Sequence, residues 1–172
     1  MLGIVAVYYH PDTYPLAPSV HPGVTMAIGV HPRQISIFTN SAEIHLGYLL
    51  AGSSVMTLCE VGLDLTETRV SIQSQEHFLN YFLSRFCCSS RTIVLHIRGN
   101  NSSQGLALYS RAFNIVKVLC GAAQLIHLHC FGGRASDVTG WVACRSGIVS
   151  PGLFIIKIGY FHLHSLWAVF ST

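Results

Sequence analysis

Val55-Met56-Thr57-Leu58-Cys59-Glu60, Thr92-Ile93-Val94-Leu95-His96 and Leu125-Ile126-His127-Leu128-His129 are three short apolar runs, and each ends in a side chain able to bind a metal. Runs of valine, isoleucine and leucine with little polar alternation suit parallel strands covered on both faces. Parallel α/β folds present their chemistry at the carboxyl ends of the strands. Neutral imidazole and carboxylate are the usual ligands of Zn²⁺, Mn²⁺ and similar ions in hydrolytic sites. The three runs therefore predict a sheet that carries metal ligands along one end, and they point to metal-assisted hydrolysis.

Working outward, β-rich runs also begin near Gly3, Thr25 and Gly152, and with the three above, which begin near Val55, Thr92 and Gln124, they recur at intervals of roughly thirty residues, the length of one βα unit. Helical periodicity fills the gaps most clearly at Gln75 to Phe86, where Phe78, Leu79, Phe82, Leu83 and Phe86 recur at three- and four-residue spacing. A second helix is expected at Gln104 to Leu119, with Leu108, Ala112, Ile115, Val116 and Leu119 on one face. The alternation makes the chain α/β. About six βα units fall two short of a closed eight-stranded barrel. No Gly-rich phosphate turn follows the first run, which argues against an open dinucleotide-binding sheet and for a piece of a barrel. Asn100 to Gly105 is polar and reads as a surface loop.

At 172 residues the chain suits a single domain with a sizeable core. Its residues are 51% apolar and 10% charged, which argues against disorder. A net charge of +3 without any lysine or arginine run does not announce nucleic acid by itself. The six cysteines, Cys59, Cys87, Cys88, Cys120, Cys130 and Cys144, lack metal-finger spacing and read as reduced thiols of a cytoplasmic or nuclear protein. Met1 to Tyr9 is apolar but has no basic flank, so no signal peptide is expected. Lys157, His162 and His164 interrupt the apolar stretch Gly152 to Phe170, so no stable membrane association is expected either.

The strand ends carry the chemistry. Ala27-Ile28-Gly29-Val30-His31-Pro32 closes a strand with a histidine and stops it with a proline. Cys59-Glu60-Val61-Gly62-Leu63-Asp64 sets two carboxylates four residues apart across a glycine. Leu95-His96-Ile97-Arg98 offers a ligand and, two residues on, a guanidinium that could clamp a phosphate or carboxylate. In His127-Leu128-His129-Cys130-Phe131-Gly132-Gly133 the two histidines share a strand face, His127 reads as an interior residue, and Cys130 alternates to the opposite face as packing. His10 and His21, in proline-rich turns, read as solvated, and His162-Leu163-His164 as a surface pair.

These segments resemble the TatD-like metal-dependent hydrolases, often called TatD-type deoxyribonucleases. The likeness rests on Ile28-Gly29-Val30-His31-Pro32, Glu60-Val61-Gly62-Leu63-Asp64, Gln75 with Phe78, Val94-Leu95-His96-Ile97-Arg98 and His129-Cys130-Phe131-Gly132-Gly133, in that order over roughly residues 25 to 135. The resemblance implies a TIM-like barrel with a two-metal hydrolytic site and DNA or another phosphodiester as substrate. By it Glu60 matches the bridging metal carboxylate, His96 and His129 match two histidine ligands, and His31 and Arg98 match site-lining positions. Asp64 matches the final aspartate of its motif, a supporting residue.

Two parts of the family pattern are missing. No His-x-His precedes His10, and no aspartate follows Asp137 to supply the Thr-Asp-x-Pro motif. The chain accordingly reads as strands two to seven of the barrel, a single domain over residues 1–172, incomplete at both ends, with a divergent apolar end at 147–172. The expected site has Glu60, His96 and His129 as metal ligands and His31, Arg98, Asp64 and His127 as pocket or substrate-binding residues, with no certain general base. Its expected cofactor is Zn²⁺, Mg²⁺ or Mn²⁺, two ions in the family and one or none here. The alternative is a catalytically dead remnant, at most a binding module, whose open sheet edges invite self-association.

Overall fold

A computed structural model describes residues 3–18, 21–100, 102–129, 141, 156–157 and 166–169. Five strands, β1 (Gly3–Tyr8), β2 (Val24–Ile28), β3 (Val55–Asp64), β4 (Thr92–Arg98) and β5 (Ile126–His129), pair in parallel and in sequence order. Helices α1 (Asn40–Leu50), α2 (Ile72–Phe86) and α3 (Ser102–Leu119) make the crossovers from β2 to β3, β3 to β4 and β4 to β5. This is the α/β architecture of a partial TIM-like barrel. Between β1 and β2 the described residues hold only a 3-10 turn, Pro11–Thr13.

The helices form for ordinary local reasons. Thr39 and Ser71 cap α1 and α2 by accepting the N–H of Ala42 and Ser74 at 3.3 and 3.1 Å. The apolar stripe expected on α2 buries Leu79, Phe82 and Leu83, and that on α3 buries Leu108, Ala112 and Val116. They pack on Ile28, Leu58, Leu63, Ile93 and Leu95 of the sheet. Each fully buried leucine or phenylalanine contributes about 1.5–3 kcal/mol relative to exposure. A separate, smaller cluster of Val7, Ala27, Cys59 and Val94 lines the other face, the barrel interior.

Two details differ from the sequence expectation. The stretch from Asn100 to Gly105 is not wholly a loop: Ser102 already begins α3, and its polar residues make the helix's first turn. The run from Gly152 contributes β6 (Ile156–Lys157), which pairs antiparallel with β7 (Leu166–Val169), and β7 pairs antiparallel with β1. The connection between β6 and β7 is shorter than the dozen or more residues a parallel crossover needs. The edge of β1 that faces away from β2 is thereby paired. Cys59, Cys87, Cys88 and Cys120 are free thiols. No helix among the described residues is long and apolar enough to cross a membrane. Cys130, Gly132, Gly133, Cys144 and the His162-Leu163-His164 pair lie outside the described residues.

Candidate metal centre

A shift in the strand register is what aims the central carboxylate. Pairing between β3 and β4 is regular at Thr57 and Leu58, shifts between Leu58 and Val61, and resumes with Gly62 opposite His96 and Asp64 opposite Arg98. Cys59 packs in the interior cluster and Glu60 meets interior histidines, whereas Val61 and Leu63 join the helix-covered core. Two successive residues therefore share the interior face, as a β-bulge allows, and after it the even-numbered residues face inward. Gly62 makes the close approach possible: a Cβ there would lie 1.9 Å from the His96 carbonyl oxygen, and its φ is +153°.

Glu60 is the hub. Its Oε2 lies 3.5 Å from His96 Nδ1 and 4.0 Å from His31 Nε2, and its Oε1 lies 3.5 Å from His129 Nε2. Burial alone would raise its pKa, but the His96, His129 and His31 rings outweigh burial and hold the carboxyl below its usual value. The His31 and His96 ring centroids are 4.4 Å apart, those of His96 and His129 6.3 Å, and those of His127 and His129 6.3 Å.

Asp64 is fully buried on the far side of His96, its Oδ2 3.3 Å from His96 Nε2 and 3.4 Å from Arg33 Nε. Its Oδ1 accepts from the Thr66 N–H at 2.8 Å and the Thr66 hydroxyl at 2.5 Å. Burial opposes its charge, and the His96 and Thr66 hydrogen bonds overcome that opposition, keeping the carboxyl far below its usual range. His96 is thus set between two carboxylates. Burial would lower its pKa, yet the bonds to Asp64 and Glu60 raise it. His31 goes the other way, lowered to about 4 by burial and by His96, and burial with His129 likewise lowers His127.

The structure therefore brings His31, Glu60, Asp64, His96 and His129 together, with His127 behind His129. Arg98 stands exposed at the end of β4, one alternation beyond His96, at the rim of the same face. His10 is half-buried rather than solvated, with its Nδ1 shielded from water, while His21 is exposed. Arg33 was not anticipated. It bonds Thr66 Oγ1 at 2.8 Å through Nη2, next to its contact with Asp64. Its signal was legible: His31-Pro32-Arg33 has the spacing of His96-Ile97-Arg98, a cation two residues past a strand-end histidine.

The donor set suits a divalent ion. Ligand atoms of His31, Glu60 and His96 lie within 4.8 Å of one another, and His129 adds an imidazole on the other oxygen of Glu60. Asp64 accepting from His96 Nε2–H would leave Nδ1 unprotonated toward Glu60, the carboxylate–histidine–metal arrangement that orients ligands in such centres. No curated protein matches the chain. A family model for TatD related DNases matches residues 5–156, which span all five parallel strands apart from the first residues of β1 and every residue of this cluster. The chain belongs to the TatD-related DNase family, a family of metal-dependent hydrolases.

Proposed function

We propose that the cluster around Glu60 binds a divalent metal and hydrolyses phosphodiester bonds of DNA or a related substrate. The observation that carries this is a buried carboxylate with imidazoles against both of its oxygens. Glu60, His96 and His129 would hold the metal. When bound, such ions polarise a phosphodiester and lower the pKa of water. Asp64 fixes the His96 ring through Nε2. Arg98, at the rim, has the planar, permanently charged group suited to clamping a phosphate.

A second reading, substrate binding without turnover, is favoured by one observation. Asp64 is already committed to Thr66, Arg33 and His96, so among the described residues no uncommitted carboxylate adjoins Glu60 to take a proton from water.

The deciding measurement is divalent-dependent cleavage of DNA by the purified chain, with Glu60→Gln alongside. Hydrolysis predicts cleavage that needs the ion and falls in the variant by more than about 100-fold, beyond what loss of a supporting residue costs a metal site. Binding without turnover predicts metal and DNA bound and no cleavage by either protein. Cleavage that ignores Glu60 or the ion would overturn the metal assignment.

A further inference from the structure

By spacing alone His31 would be another ligand, but its hydrogen bonding argues otherwise. His31 caps the 3-10 turn Pro32–Ile37. Pro32 has no N–H to give, so the capping bond comes from the next residue: the Arg33 N–H donates to His31 Nδ1 at 3.1 Å. A backbone amide can only donate, so Nδ1 carries the lone pair, and the proton of the neutral ring sits on Nε2. That is the nitrogen facing Glu60 Oε2. A nitrogen that bears a proton has no lone pair for a metal. His96 has the reverse arrangement, its Nε2 given to Asp64 and its Nδ1 left toward the same Glu60 oxygen. At 4.0 Å the His31–Glu60 separation exceeds a hydrogen bond, so the Nε2–H has capacity left for another oxygen in the site. Tyr9, 5.8 Å away ring to ring, and His96, at 4.4 Å, pack against the imidazole.

We infer that His31 is a fixed Nε2–H donor aimed at a phosphoryl oxygen of the substrate, not a metal ligand. The phosphate half of this rests on the function proposed above; the tautomer does not. The test is a long-range ¹H–¹⁵N spectrum of the ¹⁵N-histidine-labelled chain, recorded metal-free and with Zn²⁺, together with Zn²⁺ and inorganic phosphate affinities of His31→Gln and His31→Ala. The expected spectrum shows His31 protonated at Nε2 in both states. Zn²⁺ affinity in both variants should change by less than the roughly 10-fold that loss of even a supporting residue costs a metal site. Phosphate affinity of the Zn²⁺-loaded chain should fall about 10- to 100-fold in His31→Ala, the worth of one charge-assisted hydrogen bond, and recover in His31→Gln, whose amide donates. A proton on Nδ1, loss of the Nε2 proton on adding Zn²⁺, a larger drop in Zn²⁺ affinity, or unchanged phosphate affinity would each overturn it. Zn²⁺ binding that survives Glu60→Gln would instead sink the metal assignment, while the metal-free spectrum would still decide the tautomer.

Discussion

Asp64 shows how much a single buried charge can be made to do. Removed from water, a carboxylate is retained only if its oxygens are matched by donors. Here Thr66 supplies two, Arg33 stands beside the second oxygen, and His96 Nε2 completes the set. The consequence reaches the candidate metal centre, because the oxygen that accepts from Nε2 decides which His96 nitrogen faces Glu60. Asp64→Asn can place an amide where that oxygen stood, a donor facing a donor. The metal affinity of the variant, measured by competition with a chelator, should fall about 10- to 100-fold, the range for partners that orient a metal-bound histidine. An affinity equal to that of the parent chain would show that His96 needs no such orientation.

At the scale of elements, the side-chain amide of Gln75 ties the end of β3 to the start of α2. Gln75 Oε1 accepts the Asp64 N–H at 2.7 Å, and its Nε2 donates to the carbonyls of Asp64 and Val70, both at 3.0 Å. It closes the end of the strand on the start of the helix at the point where the site is built. Gln75→Ala would leave the buried Asp64 N–H without its partner, at about 1–3 kcal/mol, while the Asp64 carbonyl keeps the Glu67 N–H at 3.3 Å. Urea unfolding should show a loss of about that size; a loss under 0.5 kcal/mol, the usual surface value, would mean water replaces the amide. Much of this organisation was legible in the sequence. The apolar runs at Val55, Thr92 and Leu125 became β3, β4 and β5, and the periodicity from Gln75 became α2, because burial on both faces leaves a compositional trace. Glu60, His96, Asp64 and His31 do come together, but Glu60 lies inside β3 rather than at its end, because the strand runs on to Asp64. The phase change at Cys59 and Glu60 was not legible, since a bulge is a property of pairing with β4 rather than of β3 alone. The spacing of Arg33 from His31 was legible, but its contacts were not, because they are made to Asp64 and Thr66, far along the chain.

For the whole molecule, the cluster joins groups from the β2–α1 connection, β3, β4 and β5, which meet only when the sheet is assembled. An ion held there binds the folded chain and not the unfolded one, so it stabilises by about 2.7 kcal/mol at a free concentration 100 times its Kd. For a domain of this size that corresponds to a rise in Tm of about 5–10 °C. The rise should depend on pH, and its sign follows from His96. Held between Asp64 and Glu60, its pKa is raised above 6.5 in the folded chain, so its protonated form stabilises the metal-free fold below that value and the contribution fades as pH rises through the folded pKa. The ion must displace this proton to reach Nδ1, which weakens binding at the acidic end of the same window. This is one linkage, and it widens the gap between loaded and metal-free protein as pH rises from the free histidine value through the raised pKa of His96. Thermal melts with and without Zn²⁺ or Mn²⁺ at the two ends of that range should show the larger shift at the alkaline end, and no shift in Glu60→Ala. A shift that is the same at both pH values would detach His96 from the metal, and one that persists in Glu60→Ala would place the ion elsewhere in the fold.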